Sequence, residues 1–437
     1  TLAILLLSYI ELVDVDKKLY KDGWYFMGPQ PVSMKLNHIN PENPHSIIGG
    51  YVVTDKADGV RAQLLINKDS RGYLITPKKV VYDTGITFEN SEGSWLFDGE
   101  FITKDKLGKQ IKLFMIFDVY YTSSLERQPY TYPWKSKKTE SRENIMSNFK
   151  HSVEFVYNEV ASEIPFRISY KQYLEGPSKI NRDKHTNEIS NLMGIFKSSN
   201  KIISQEESES GYEYETDGLI FLPMNLAVKS MNQGEYPSSI SGTWTSNYKW
   251  KPPEENTIDF RIEFVKEESN NKNKITSFTK HNKIIKCQQV KLYVGYDINK
   301  DITTDFTWKV MGYHNRKQNE ILFNPPTEKD SIYLCNIPLT NDKLICKKDK
   351  TILQDRGIYE MRYEPNNPFG YQWIPLRVRD DKIRPNASST ADNVWRTIQY
   401  PVLEKYISGK DLDEIDFTDE KEKSDYYIED AESDADI

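Results

Sequence analysis

The sequence predicts an α+β protein: a domain built on antiparallel sheet, followed by a smaller β-barrel domain. Three observations lead there. The chain has 437 residues, too many for one ordinary domain and enough for two or three. It is rich in strand formers, with 28 Tyr and 18 Phe, and short alternating apolar runs recur along most of its length. Those runs fall into two groups on either side of Pro252-Pro253, with helical spacing confined to the first.

Taken in order, residues 20–50 are rich in Pro, Gly and Asn and read as extended loop. From Tyr51 the runs YVVTDK, RAQLLIN, GYLIT, SWLFDGEFI and IKLFMIFDVYY are each bounded by Gly, Asp, Asn or Lys, the pattern of antiparallel strands. Residues 137–163 carry helical spacing, with Ile145, Met146 and Phe149 on one face. The polar stretch 196–213 reads as a mobile loop, and ETDGLIFLP resumes the strands. Beyond Pro253, TIDFRIEFV, QQVKLYVGYD, DFTWKVMG, SIYLCNI and GIYEMRYEP predict a small barrel. The expected boundaries are an N-terminal extension at 1–44, the sheet domain at 45–255, the barrel at 256–400 and an acidic, disordered tail at 401–437.

Composition excludes several classes. The chain is 38% hydrophobic and 28% charged, which is neither wholly disordered nor membrane-spanning. Its one strongly apolar run, Leu2 to Leu7, is far shorter than the ~20 residues that span a bilayer, and it lacks the basic flank of a signal peptide. Cys287, Cys335 and Cys346 are three in number, at spacings that match no zinc pattern, and read as reduced thiols of an intracellular protein. The net charge of -7 is concentrated at one end. Lys410 to Ile437 holds 13 acidic and 3 basic side chains, a charge of -10, which leaves -7 + 10 = +3 for the rest. A nucleic-acid partner is therefore compatible with the body of the chain. Both ends read as cuts in a longer polypeptide, or as processed ends.

The chemistry lies in a series of short motifs. Lys56-Ala57-Asp58-Gly59-Val60-Arg61 follows the strand YVVTD, and about 40 residues later come Phe97-Asp98-Gly99-Glu100 and Ile116-Phe117-Asp118. Glu215-Thr216-Asp217-Gly218, Lys249-Trp250-Lys251-Pro252-Pro253 with Thr257-Ile258-Asp259-Phe260, and Arg377-Val378-Arg379-Asp380-Asp381-Lys382 complete the series. Each acidic–Gly pair is expected at the end of a strand, its carboxylate in a cleft. Lys249 and Lys251, two apart, should leave the same face of a strand. Together these residues make a phosphate site. Two lysines and two arginines offer positive charge to a triphosphate. Asp98, Glu100 and Asp217 offer oxygen ligands to a hard divalent cation. Lys56 is the candidate nucleophile; attack on phosphorus needs a free amine, and clustered cations disfavour a protonated one. The six histidines are dispersed and none joins a motif.

This order of motifs resembles the covalent nucleotidyltransferase superfamily, over roughly residues 45 to 390. Within it, Lys249 to Pro253 with Thr257 to Phe260, Arg379 to Lys382, and the strand Tyr359 to Tyr363 are similar to the mRNA capping guanylyltransferases. GPQPVSM and RPNASSTADNVW resemble capping enzymes of large DNA viruses and related cytoplasmic elements. The resemblance implies an antiparallel-sheet nucleotidyltransferase domain followed by an OB-fold domain. It implies transfer of GMP from GTP, through a lysyl-N-GMP on Lys56, to the 5′-diphosphate end of RNA, with Mg2+ or Mn2+. It also implies a cytoplasmic setting, viral factory or virion included, with no membrane, and RNA triphosphatase and cap methyltransferase modules in the same or a partner chain; residues 1–44 could hold the end of a triphosphatase. By resemblance, Arg61 and Glu100 hold the ribose hydroxyls, and Phe117 stacks on guanine. Lys249 and Lys251 hold the α-phosphate, and Asp217 with Glu100 places the metal. Arg379, Asp381 and Lys382 reach the β- and γ-phosphates, while Asp58, Gly59, Asp98, Gly99 and Asp118 shape the site, the glycines by letting the backbone turn. Plainer readings stand beside these: Phe117 as core, Arg61 as a surface strand residue, Asp98 as a turn cap. The rival functions are an ATP-dependent RNA or DNA ligase, and an inactive nucleic-acid-binding scaffold of the same fold.

Overall fold

The computed structural model describes residues 9, 26–78, 80–157, 164–176, 193–208, 211–237, 239–280, 283–296, 320–325, 332–412 and 415. The strand expected at DFTWKVMG and most of the acidic tail lie outside the described residues. The chain divides into two compact units. One runs to Trp250 and takes back the segment from Val402; the other is Lys251–Pro401.

The first unit contains β1 (Pro29–Ser33), β2 (Tyr51–Ala57), β3 (Val60–Ile66), β4 (Arg71–Ile75), β5 (Val81–Glu89) and β6 (Trp95–Lys104). They are followed by β7 (Gln110–Thr122), β8 (Glu154–Tyr157), β9 (Phe166–Tyr170), β10 (Leu174–Glu175), β11 (Thr216–Pro223) and β12 (Gly242–Trp250). One sheet has the order β8-β5-β4-β3-β6-β7-β9, the other β1-β12-β11-β2-β10. Pairing is antiparallel except for β7 with β9 and β1 with β12. A single apolar cluster joins the sheets, with Leu64, Phe97 and Phe114 from the first and Val52, Leu222 and Trp244 from the second. The helix expected at 137–163 is shorter, α1 (Arg142–Ser152). Ser141 caps it by accepting from the Asn144 amide, and the β-favouring run after Val153 becomes β8. As expected, Ile145, Met146 and Phe149 are its buried apolar face, and Phe149 packs 4.7 Å from Phe97.

Three expectations are corrected. Residues 29–39 are not loop: Pro29–Ser33 is a strand and Leu36–Ile39 a 3-10 turn. The polar stretch from Phe196 lies largely in α2 (Met193–Glu207). Ile195, Phe196, Ile202 and Ile203 are buried there on one side, a helical stripe hidden in the sequence by the polar residues between. Val402 and Ile407, expected in the tail, are buried in the first unit, and the Trp250 indole donates to the Val402 carbonyl at 2.7 Å.

The second unit holds β13 (Thr257–Phe264), β14 (Ile275–Lys280), β15 (Lys283–Gly295), β16 (Glu320–Leu322), β17 (Leu334–Thr340), β18 (Lys343–Leu344), β19 (Ile358–Tyr363), β20 (Trp373–Val378) and α3 (Ser388–Gln399). The sheet runs β18-β17-β15-β13-β19-β20, with β14 and β16 paired to β15. Just past β18, the amides of Lys347 and Lys348 donate to the carbonyls of Pro375 and Leu376 on β20, each at 2.8 Å. The two ends of the strand order are thereby brought together, the half-barrel expected of an OB-fold domain. Its core is aromatic: Phe260, Phe323, Trp373 and Trp395 of α3. Cys287, Cys335 and Cys346 are buried free thiols, and burial pushes Cys335 and Cys346 up to about 12.

Candidate active site

Lys56 is the penultimate residue of β2. Opposite it, the register between β11 and β2 shifts between Thr216 and Leu219, so that Asp217 and Gly218 form a bulge. A bulge re-aims side chains, and here Lys56 Nζ donates to Asp217 Oδ1 at 2.6 Å. The two side chains keep 24% and 16% of their exposure, so the amine remains open to a substrate. Asp58 and Gly59 make the exposed turn from β2 into β3.

Arg61 on β3 lies across from Glu100 on β6, and Gln63 across from Asp98. The Arg61 guanidinium forks onto Asp98, Nε to Oδ1 at 3.2 Å and Nη2 to Oδ2 at 2.5 Å. Asp98 has no exposed surface and sits mid-strand. The expectation of a carboxylate at a strand end, free to bind a cation or to cap a turn, is therefore corrected, because both oxygens already serve Arg61. Glu100 keeps its place at the cleft, where burial pushes its carboxyl up to about 7 against the pull of Lys56, Lys171 and Arg61. Gly59, in the turn, also serves close packing, and Gly99, mid-strand in β6, serves packing rather than turning. A Cβ on Gly59 would stand 2.8 Å from Glu100 Cγ, and one on Gly99 2.4 Å from the Phe114 ring.

Phe117 on β7 is partly exposed, its ring centre 5.9 Å from the Arg61 guanidinium. Asp118 is buried, lies opposite Asp98, and accepts from Arg142 Nε at 2.8 Å. Lys249 lies on β12, opposite Ile220 of β11. Lys251 is the first residue of the second unit. Also in that unit, Arg379 forks onto Asp381 at 2.9 and 3.0 Å and donates to Asp259 at 2.7 Å, and Lys382 pairs with the same Asp259 oxygen at 2.6 Å.

Sequence reasoning missed several neighbours. Lys171 is buried against the Asp55 carboxylate and lies 3.2 Å from the Tyr214 hydroxyl, which itself donates to Asp55 at 3.1 Å. The only signal was Asp55 standing beside Lys56. Arg142, at the start of α1, has no exposed surface and ties Asp118 to the carbonyl of Tyr132; nothing in its helical pattern marked it. His38 stacks on Tyr248 of β12 at 4.0 Å. Gly28 was visible only as part of GPQPVSM. It has φ +119, and a Cβ there would lie 2.7 Å from Arg61 Nη2 and 2.9 Å from Asp98 Oδ2.

A lysine amine beside a carboxylate, on two largely antiparallel sheets followed by an OB-type half-barrel, is the arrangement expected of the covalent nucleotidyltransferases. Residues 10–253 match the family described as mRNA capping enzyme, catalytic domain, and residues 255–408 match mRNA capping enzyme, C-terminal domain. The chain belongs to the mRNA capping enzyme family. It is 26% identical over 426 residues to a probable mRNA-capping enzyme of Acanthamoeba polyphaga mimivirus, covering 86% of this chain and 32% of that protein. It is 22% identical to the mRNA-capping enzyme subunit alpha of Candida glabrata, covering 85% of this chain and 77% of that one. To the mRNA-capping enzyme of Danio rerio it is 26% identical, covering 87% and 49%. The chain thus spans about a third of the viral relative and half of the fish one. Among solved structures, the ligase domain of LigD from M. tuberculosis aligns over 82% of this chain and 96% of its own, at 12% identity and a TM-score of 0.30, too low to bear on function. Among the described residues no helix is long and apolar enough to cross a membrane.

Proposed function

We propose that this chain carries out the guanylyltransferase step of mRNA capping through Lys56. The observation that carries the reading is the Lys56–Asp217 contact, beside a Glu100 carboxyl that feels the charges of both Lys56 and Arg61, within a capping-family catalytic domain. In the first half-reaction Lys56 Nζ loses a proton and forms a bond to the α-phosphorus of GTP. The α–β phosphoanhydride breaks and pyrophosphate leaves. In the second, a β-phosphate oxygen of 5′-diphosphate RNA bonds to that phosphorus, the N–P bond breaks, and the amine takes back a proton. Asp217, the hydrogen-bond partner of the amine, holds it at the cleft. Arg61 and Glu100 would orient the ribose, Phe117 would stack on guanine, and Lys249 and Lys251 would take the α-phosphate charge. Arg379, Asp381 and Lys382 would act on the departing pyrophosphate, while Asp58, Gly59, Asp98, Gly99 and Asp118 shape the cleft. Positioning and charge neutralisation supply most of the catalysis.

The residues fit a divalent ion of the magnesium or manganese kind. Asp217 and Glu100 are oxygen donors, and no cluster of three or more ligating side chains forms among the described residues. Such an ion is held by one or two carboxylates plus phosphate oxygens and water. It would neutralise charge on the triphosphate. A viral setting draws support from the mimivirus relative; a cytoplasmic location and association with triphosphatase and methyltransferase modules belong to the same proposal.

The test is incubation with α-labelled GTP or ATP and the metal, followed by a denaturing gel. GTP should label the chain and ATP should not. Lys56→Arg, which keeps the charge but has no amine to attack with, should abolish the label. Equal labelling by ATP would move the protein to the ligases, and labelling of the arginine variant would mean another nucleophile.

A further inference from the structure

Arg61, Gln63, Asp98 and Glu100 lie on one face of the first sheet. Arg61 stands opposite Glu100 and Gln63 opposite Asp98, and residues two apart on a strand share a face. The capping chemistry has a role for three of them and none for Gln63. Gln63 has no exposed surface, and a buried amide is tolerated only when it is hydrogen-bonded. Its partners lie far upstream. The Tyr9 hydroxyl donates to Gln63 Oε1 at 2.7 Å and accepts from the Met27 amide at 3.1 Å, and Gln63 Nε2 donates to the Met27 carbonyl. Met27 is thus fixed against this face by both of its backbone polar groups.

The residues on either side of Met27 reach Arg61. Phe26 is buried, and the Arg61 guanidinium lies over its ring at 5.6 Å. Gly28 has φ +119, and a Cβ there would stand 2.7 Å from Arg61 Nη2, 2.8 Å from the Tyr120 ring and 2.9 Å from Asp98 Oδ2. The chain then enters β1, which pairs with β12 of the other sheet. Of the three groups against Gly28, Tyr120 and Asp98 are buried, and Arg61 keeps 16% of its side-chain exposure. A methyl group at residue 28 would therefore displace the guanidinium, the group with room to move.

We propose that Phe26–Gly28 is a strap that positions Arg61, and that through Arg61 it sets how strongly the site reads the ribose hydroxyls of GTP. Phe26 supports the guanidinium, Gly28 leaves room for its fork onto Asp98, and Gln63 and Tyr9 hold the strap down. The inference rests on the reading that Arg61 meets the ribose. A segment that served only to satisfy Gln63 would need neither a glycine at 28 nor a ring at 26 against the guanidinium.

The experiment compares binding of GTP and 2′,3′-dideoxy-GTP to the full chain by calorimetry in EDTA, which withholds the metal from the covalent step. The wild type should bind GTP roughly tenfold more tightly, the scale of one charged hydrogen bond. Gly28→Ala should lower that preference roughly threefold or more, by weakening GTP and leaving the dideoxy analogue within about twofold. Tyr9→Phe, which unties Met27 while keeping the ring, should act in the same direction, and it decides alone if Gly28→Ala does not fold. Gly234→Ala controls for backbone strain. Gly234 also has a positive φ, +82, with nothing within 4 Å of an added Cβ, so this variant should keep the wild-type preference. Equal weakening of both nucleotides by the strap variants, a preference they leave intact, or a wild type without one would each overturn the proposal. So would a loss of preference in Gly234→Ala as large as in Gly28→Ala. Labelling by α-labelled GTP with metal runs beside the calorimetry. A wild type that prefers GTP but takes no label would sink the guanylyltransferase reading and leave the strap standing.

Discussion

Asp98 has no exposed surface, and both of its oxygens are bonded to Arg61. Removing one partner of such a pair leaves an uncompensated buried charge, whereas removing both does not. Arg61→Ala should therefore cost about 3–5 kcal/mol in urea unfolding, and Arg61→Ala/Asp98→Ala distinctly less. Were Arg61 an ordinary surface strand residue, the single substitution would cost under ~0.5 kcal/mol. Both residues stand out in the sequence as motif members. Their partnership across 37 positions does not, because it depends on the β3–β6 register.

Elements show the same division. The runs from YVVTDK to IKLFMIFDVYY fold as strands where expected, since alternation and β-branched residues act locally. The helix at Met193–Glu207 and the segment after Pro401 look like loop and tail in the sequence, because polar residues separate their few apolar ones. Each is ordered by what it packs on: Phe196, Val402 and Ile407 share one buried cluster with Tyr248 and Trp250. Burial of Val402 and Ile407 is worth ~1.5–3 kcal/mol each. A chain ending at Pro401 should thus lose about 3–6 kcal/mol of first-unit stability by denaturant titration, with the lowered midpoint visible in Trp fluorescence. A chain ending at Asp416 should match the full length. Equal midpoints for the two would show that the segment contributes nothing.

At the scale of the molecule, the motif residues are shared between two units: Lys56, Asp217 and Lys249 in one, Lys251, Arg379 and Lys382 in the other. In the barrel unit Arg379 and Lys382 are held by Asp259. If they turn to the leaving pyrophosphate, they matter only in the first half-reaction. Arg379→Ala or Lys382→Ala should then slow adduct formation from GTP by roughly 10- to 150-fold, from ~1.5–3 kcal/mol per lost charged contact. Transfer from a preformed lysyl-GMP to RNA should be much less affected. Timing the two half-reactions separately decides it. Equal losses in both would mean that the Asp259 cluster holds the barrel together.

The sequence by itself determined the class of the protein. The order of the motifs, the two strand-rich halves and the nucleophile candidate Lys56 are properties of spacing and local pattern, which a linear chain carries in full. Tertiary structure alone decided which charges meet. The bulge at Asp217 aims one carboxylate at Lys56, the β3–β6 register gives Asp98 to Arg61, and helix α1 brings Arg142 to Asp118. It also decided that Lys171 and Asp55 share a buried site across 116 positions. Ion pairing and burial act through distance in space, and once the sheets assemble, that distance bears no relation to distance along the chain.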